Sequence, residues 1–286
     1  MKTYKEIRSK LSIFVSFFLS FLITLIFLSV ALLLGGLNNN VINNDLKKMN
    51  YYHSGYEDFI QQAKAIASSF GLSENVISEN ITLANYHIKS NNYLTYASKN
   101  ADTKAIDIAI DMELDNVVRL WNEEIKEKHG NVTLEESQNI DLCATEIATL
   151  YKDSIDFPFI KDIAVYKEKY ISFLKIALPI ELLCVAVIAF TLFVTTKYKH
   201  RALRYILYAV IGSDIVTLVF GVYLLKLKDQ LIHSDNVRYQ AFLELYYRDS
   251  VVPFFLIFSA GILLAVFISL MIRQMRNQLI AKNNNN

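Results

Sequence analysis

Apolar residues are arranged in two ways along this chain. In four places they run on without interruption: Leu11–Leu34, Phe173–Thr195, Leu203–Leu225 and Val251–Ile272. Elsewhere they return every third or fourth position among polar residues. A lipid core about 30 Å thick needs roughly 20 consecutive apolar residues in helical form. Each continuous run is therefore predicted to be a membrane-crossing helix, because hydrocarbon offers no partner to an unpaired backbone amide. The first and fourth runs carry no charge. The second holds Lys175 near one end and Glu181 inside it, and the third holds Arg204 at its start and Asp214 inside it. The first run is longer than a signal-peptide core and ends in Leu-Gly-Gly without an Ala-x-Ala cleavage pattern, so it is read as a retained span.

Residues 35–172 show the second arrangement. From Lys104 to His129 the positions Ile106, Ile110, Leu114, Val117, Trp121 and Ile125 are spaced three or four apart, which is one face of a helix. Tyr56–Phe70 reads as a helix stopped by Gly71 in a left-handed cap. The pattern restarts at Ser73–Glu74 and runs to Ser98. Thr133 with Glu136 is a capping box that opens Leu134–Lys152. After Pro158, Lys161–Tyr170 is helical and continues into the second span. About five helices result, enough for an up-and-down bundle. The predicted fold class is an all-α polytopic membrane protein, with four transmembrane helices and an extracytoplasmic α-helical bundle inserted between the first and second.

Charge sets the direction of threading. The tail 1–10 holds Lys2, Lys5, Arg8 and Lys10, and the loop from 196 into the third span holds Lys197, Lys199, Arg201 and Arg204. The tail 273–286 holds Arg273, Arg276 and Lys282. Four spans put these segments on one side, with eleven bases against one acid, Glu6. That side is predicted to be the cytoplasm, so both termini lie inside; low Pro with abundant Asn, Lys and Ile suggests an AT-rich bacterial genome, and with it the plasma membrane. Residues 35–172 then face outward with 21 acids against 13 bases, although the whole chain carries only +1. Residues 226–250 mix charges with Phe242, Tyr246 and Tyr247, and are predicted either as a short amphipathic outer helix at headgroup level or as a cap on the base of the bundle. With 53% of residues hydrophobic, 8 Gly, 3 Pro and 2 Cys among 286, collagen-like, disordered and disulfide-stapled classes are excluded. Cys143 lies in the outer segment and Cys184 inside a span, so they do not bridge. The basic cluster around Lys197–Arg204 reads as a topology signal and lipid contact rather than a nucleic-acid site.

The most informative residues are the acids inside the spans. Counting at 1.5 Å per residue, Glu181 lies roughly 12 Å from the outer edge and Asp214 roughly 16 Å from the inner edge. Both are predicted near the midplane, on adjacent antiparallel helices and facing the interior. Three readings compete. In the first, a protonated acid hydrogen-bonds Ser213, Thr217 and Tyr208 and holds the helices together. In the second, the acids form a proton- or cation-conducting path in an oligomer. The third is catalysis, as in intramembrane aspartyl proteases with their Gly-x-Gly-Asp motif. The stretch Ile211-Gly212-Ser213-Asp214 lacks both motif glycines and its partner acid is a Glu, which removes most of the force of that comparison and leaves an intramembrane hydrolase as the third-ranked reading.

In the outer segment Asp107, Asp111 and Asp115 form an i,i+4 acidic stripe, which reads either as a cation site or as a solvated face flanked by Lys104 and Arg119. Asn80-Ile-Thr82 and Asn131-Val-Thr133 fit the glycosylation pattern. The five histidines show no metal-ligand spacing, and no nucleotide, metal or hydrolase motif is present, so no cofactor is expected. The cytoplasmic segments are too short to fold into an output domain. The sequence thus favours a sensing, scaffold or accessory subunit whose outer domain binds a ligand or partner protein. Its partners are the bilayer and another membrane or cytoplasmic protein, or further copies of itself, but not nucleic acid. The alternative is an oligomeric transporter or channel subunit built on Glu181 and Asp214.

Overall fold

The computed structural model describes residues 2–99, 101–196, 198–233 and 236–284. Lys197 lies outside the described residues, as do the side chains of Lys2, Lys5, Glu6, Arg8, Lys10 and Lys282. Among the described residues all regular structure is α-helix. Four helices are long and apolar enough to cross a membrane, within Ser12–Leu34, Ala164–Thr195, Lys199–Lys228 and Val237–Gln278. The chain divides into two units, Met1–Asp45 with Tyr170–Asn286, and Leu46–Lys169.

The first unit is built on α1 (Lys2–Leu34), α9 (Lys199–Leu231) and α10 (Val237–Asn284), each packed against the other two. Leu19 and Ile23 of α1 meet Ala209 and Val210 of α9 and Ile268 and Ile272 of α10 in a buried core. A second cluster joins Ala31, Val251 and Phe254. Hydrocarbon gives helices no hydrophobic reason to associate, so close packing at small residues has to supply the attraction. Gly35 provides such a place: a β-carbon there would overlap the Ser250 carbonyl oxygen. At Gly212 a β-carbon would come within 2.8 Å of Ser20 Oγ. Tyrosine hydroxyls on α10 add two cross-links, Tyr246 to the Gly36 carbonyl at 2.6 Å and Tyr247 to the Leu224 carbonyl at 2.7 Å.

The remaining span lies within α8 (Pro158–Thr195). Almost none of its membrane-length stretch is buried. It reaches the three-helix core near its C-terminal end, where Leu192 is buried and Val185 and Ile188 pack against the cluster. The helix expected at Lys161–Tyr170 and the second span are one element, broken only in its hydrogen bonding by Pro179. Residues 226–250 differ from expectation. They are not a separate headgroup-level helix but the end of α9 and the beginning of α10, which face each other through a Lys228–Glu244 ion pair of 2.9 Å. Helix persists beyond the apolar runs because a continued helix satisfies backbone groups that a turn would expose.

The second unit holds α3 (Tyr51–Ser69), α4 (Glu74–Asn80), α5 (Leu83–Ala97), α6 (Lys104–His129) and α7 (Leu134–Ile155), preceded by α2 (Asn39–Lys48) at the boundary. The predicted α6 face is buried at Ile106, Ile110, Leu114, Val117 and Trp121, with Ile125 half-buried. It packs on α7, which buries Ile140, Cys143, Ile147, Tyr151 and Ile155 at the same spacing. Gly71 takes the left-handed conformation (φ 72°) required to stop α3, and both bonds of the Thr133–Glu136 capping box form. The predicted helix from Ser73 to Ser98 is two helices. Thr82 is extended and its hydroxyl accepts the Asn85 amide, so it caps a new helix, α5, rather than extending α4. Asn50, left-handed at φ 48°, separates α2 from α3, a break that the hydrophobic pattern does not reveal.

Candidate functional site

Two places bring chemistry-bearing side chains together, one in each unit. In the first, α9 and α10 leave a groove of 420 Å³ between them. Its walls are Ile211 and Ile215 of α9 and Phe258, Ile262, Val266 and Leu270 of α10, with Asp214 at its base. Asp214 is 4% exposed, and its carboxylate occupies the space that Gly261 leaves by having no β-carbon. Oδ1 is fully covered and accepts no hydrogen bond from the described residues. The hydroxyls that sequence reasoning offered as donors point elsewhere. Ser213 Oγ donates to the Val210 carbonyl at 2.7 Å and Thr217 Oγ1 to the Ser213 carbonyl at 2.8 Å, each within its own helix. In a membrane helix a hydroxyl readily turns back on the preceding turn, which is why the expected network does not form.

The other candidates lie apart from this groove. Tyr208 is 60% exposed, and Ser213 is fully buried one position before the acid. Glu181, on α8, is half-buried with Oε2 covered and without a partner among the described residues, and it does not line the groove. Depth along the membrane can be counted from a sequence, but the direction a residue faces around its helix cannot. On α6, Asp111 and Asp115 are exposed and Asp107 is half-buried, and Asp111 forms a 2.8 Å ion pair with Lys152 of α7. The stripe thus contributes a cross-helix bridge. Among the described residues no cluster of three or more His, Cys, Asp or Glu side chains is placed to hold a metal.

The second place was not legible in the sequence. A cleft of 700 Å³ opens where the end of α2 and the start of α3 meet α5. Tyr51, Tyr52 and His53 line it from one side and Leu83 and His87 from the other, with Lys47 and Asn50 also on its wall. The left-handed Asn50 turns the chain so that consecutive aromatic residues both enter the core. The Tyr51 ring stacks on Phe157 at 5.3 Å, and the Tyr52 ring meets the His87 ring edge-on at 4.7 Å. Tyr52 is 8% exposed, and its hydroxyl has no hydrogen-bond partner among the described residues. Burial, reinforced by Tyr51 and Tyr86, pushes its phenol well above the usual range, so it remains a neutral donor at any physiological pH. The cleft therefore combines aromatic walls, two exposed imidazoles, a neutral phenol and the exposed Lys47, a set suited to an apolar or aromatic group with a polar end.

Beneath the cleft lies an aromatic core in which Phe59, Tyr86 and Tyr151 stack within 4.6–5.9 Å of one another. A nearly buried ion pair, Lys89–Glu113, borders it. Lys89 Nζ lies 5.3 Å from the centre of the Tyr151 ring, and Asn85 Nδ2 donates to Glu113 at 2.9 Å. No family model matches the chain, and no curated protein or solved structure matches it either.

Proposed function

We propose that this chain is an integral plasma-membrane protein of the sensing, scaffold or accessory kind, in which the helical unit Leu46–Lys169 is an extracytoplasmic bundle that binds a ligand or partner at the Tyr52–His87 cleft. The cleft carries this reading. An aromatic-walled recess with an unpartnered phenol is a binding feature, whereas the acids elsewhere on this unit are solvated or paired. Both termini and the Lys199–Arg204 segment face the cytoplasm, as the excess of bases on those segments directs.

The first test is sidedness. In a chain carrying Cys143→Ser and Cys184→Ser, a cysteine placed at the exposed Leu134 should react with a membrane-impermeant maleimide on intact cells, and one at Arg273 only after lysis. The reverse pattern would refute the outward placement. The second test is occupancy. Aromatic carboxylates screened by thermal shift against the purified chain should raise its melting temperature, and Tyr52→Ala with His87→Ala should abolish the rise. A panel that stabilises wild type and the double variant equally would refute the cleft as the site.

One observation favours a second reading, a proton- or cation-coupled transport subunit: Asp214 is a buried acid in an apolar helix, with Oδ1 accepting no hydrogen bond from the described residues. A flux in proteoliposomes that disappears in Asp214→Asn would establish it. An unchanged flux, or none, would remove it.

A further inference from the structure

The groove between α9 and α10 has a definite shape and one chemical demand. Its α10 wall runs from Phe258 to Leu270, about 18 Å of helix, and presents apolar side chains that are 44–59% exposed at Ile262, Val266 and Leu270. Two polar groups line this apolar trough: Ser269, whose hydroxyl donates to the Ala265 carbonyl at 2.8 Å, and the one charged group, Asp214, 96% covered and with Oδ1 accepting no hydrogen bond from the described residues. A lipid chain can fill such a trough but brings no donor to the acid. A second copy of this chain brings hydroxyls but no cation at mid-span. Its spans carry Lys175 and Arg204 only near their ends and acids in their interiors, while the first and fourth spans are uncharged. Three helical turns of apolar wall with an uncompensated carboxylate partway along match a transmembrane helix with a cation near its middle.

We infer that the α9–α10 groove is the docking site for one membrane-crossing helix of a partner protein, an apolar helix carrying a Lys or Arg near mid-span that pairs with Asp214. The inference depends on the chain crossing the bilayer, which its four long apolar helices support, and not on the Tyr52–His87 cleft.

The test uses the full chain with Cys184→Ser, labelled at Arg273→Cys and reconstituted in phosphatidylcholine vesicles. The probes are two synthetic 21-residue Leu/Ala helices, one with a central Lys and one with Leu in its place. Energy transfer should show the Lys helix binding about tenfold more tightly than the Leu helix. Asp214→Asn should erase that difference, and Val266→Phe, which fills the groove and keeps the acid, should weaken binding of both helices. Unchanged far-ultraviolet circular dichroism, together with Trp121 emission for the other unit, checks that each variant is folded. Equal binding of the two helices to wild type, no binding, or a Lys preference that survives Asp214→Asn would overturn the inference. So would energy transfer between two labelled copies that Val266→Phe abolishes, since that would assign the groove to a second copy.

Discussion

Removing Lys89 should destabilise the second unit far more than removing the whole pair of which it is part. The Lys89 and Glu113 side chains are 13% and 11% exposed, so both charges are largely out of water. Lys89→Met leaves the Glu113 carboxylate with Asn85 as its remaining side-chain hydrogen-bond donor. Breaking a fully buried pair costs about 3–5 kcal/mol. Residual exposure and the Asn85 bond reduce this to about 2–3 kcal/mol, which includes roughly 0.5 kcal/mol for the cation lost from above the Tyr151 ring. Lys89→Met with Glu113→Leu removes both charges together and should lie within about 1 kcal/mol of wild type. Urea unfolding of the purified chain in a mild detergent measures this directly. Trp121, the single tryptophan, is 1% exposed in the same unit and reports its opening. For an m-value of about 1.5 kcal/mol/M, the single variant should lower the midpoint by roughly 1.3–2 M. A single variant within about 0.5 kcal/mol of wild type, or a double variant as unstable as the single, would refute the reasoning.

Three further outcomes follow from other contacts. Burial, with Glu146 nearby, pushes the Cys143 thiol up to about 12, so iodoacetamide at pH 8 should modify it only after urea unfolding; rapid labelling of the folded chain would contradict its placement on α7. The Thr133 backbone amide, its hydroxyl and His129 hold the Glu136 carboxyl below its usual range. A depressed carboxyl adds stability that is present above its unfolded value, near 4.3, and is lost as pH falls through the folded one, so Glu136→Gln should flatten the urea midpoint between pH 5 and about 3. Gly261→Val should push the Asp214 carboxylate out of its recess and make a cysteine at Ile215 more reactive in micelles; unchanged reactivity would show that α10 yields instead.

Much of the helical architecture can be read from residue order, because it depends on periodicity and on local caps. The buried α6 face, the Gly71 stop and the Thr133–Glu136 box each lie within a few residues of sequence, and each appears where the pattern places it. The break at Thr82 is equally local, but Asn80-Ile-Thr82 also fits a glycosylation pattern, and the apolar spacing does not mark Thr82 as a cap. The sites were less legible. Lys89 and Glu113 meet across 24 residues of chain on different helices, and the Tyr52–His87 cleft depends on a left-handed Asn50 that no periodicity marks. Asp214 stood out because an acid in an apolar run is costly wherever it faces. Its surroundings did not, because they are set by packing at Gly261 of α10, and Glu181 is not among the residues that line its groove.

The three-helix core has a consequence for how the chain is made. It joins α1 to α9 and α10, which begin only at Lys199 and Val237. During translation α1 must wait in the translocon's surroundings through more than half of the polypeptide before either partner emerges. Meanwhile α8 can leave sideways into lipid, since its membrane stretch needs little help from its siblings. The core therefore closes only once α10 has been made, and a stop codon before Val237 would leave α1 with α9 but without α10.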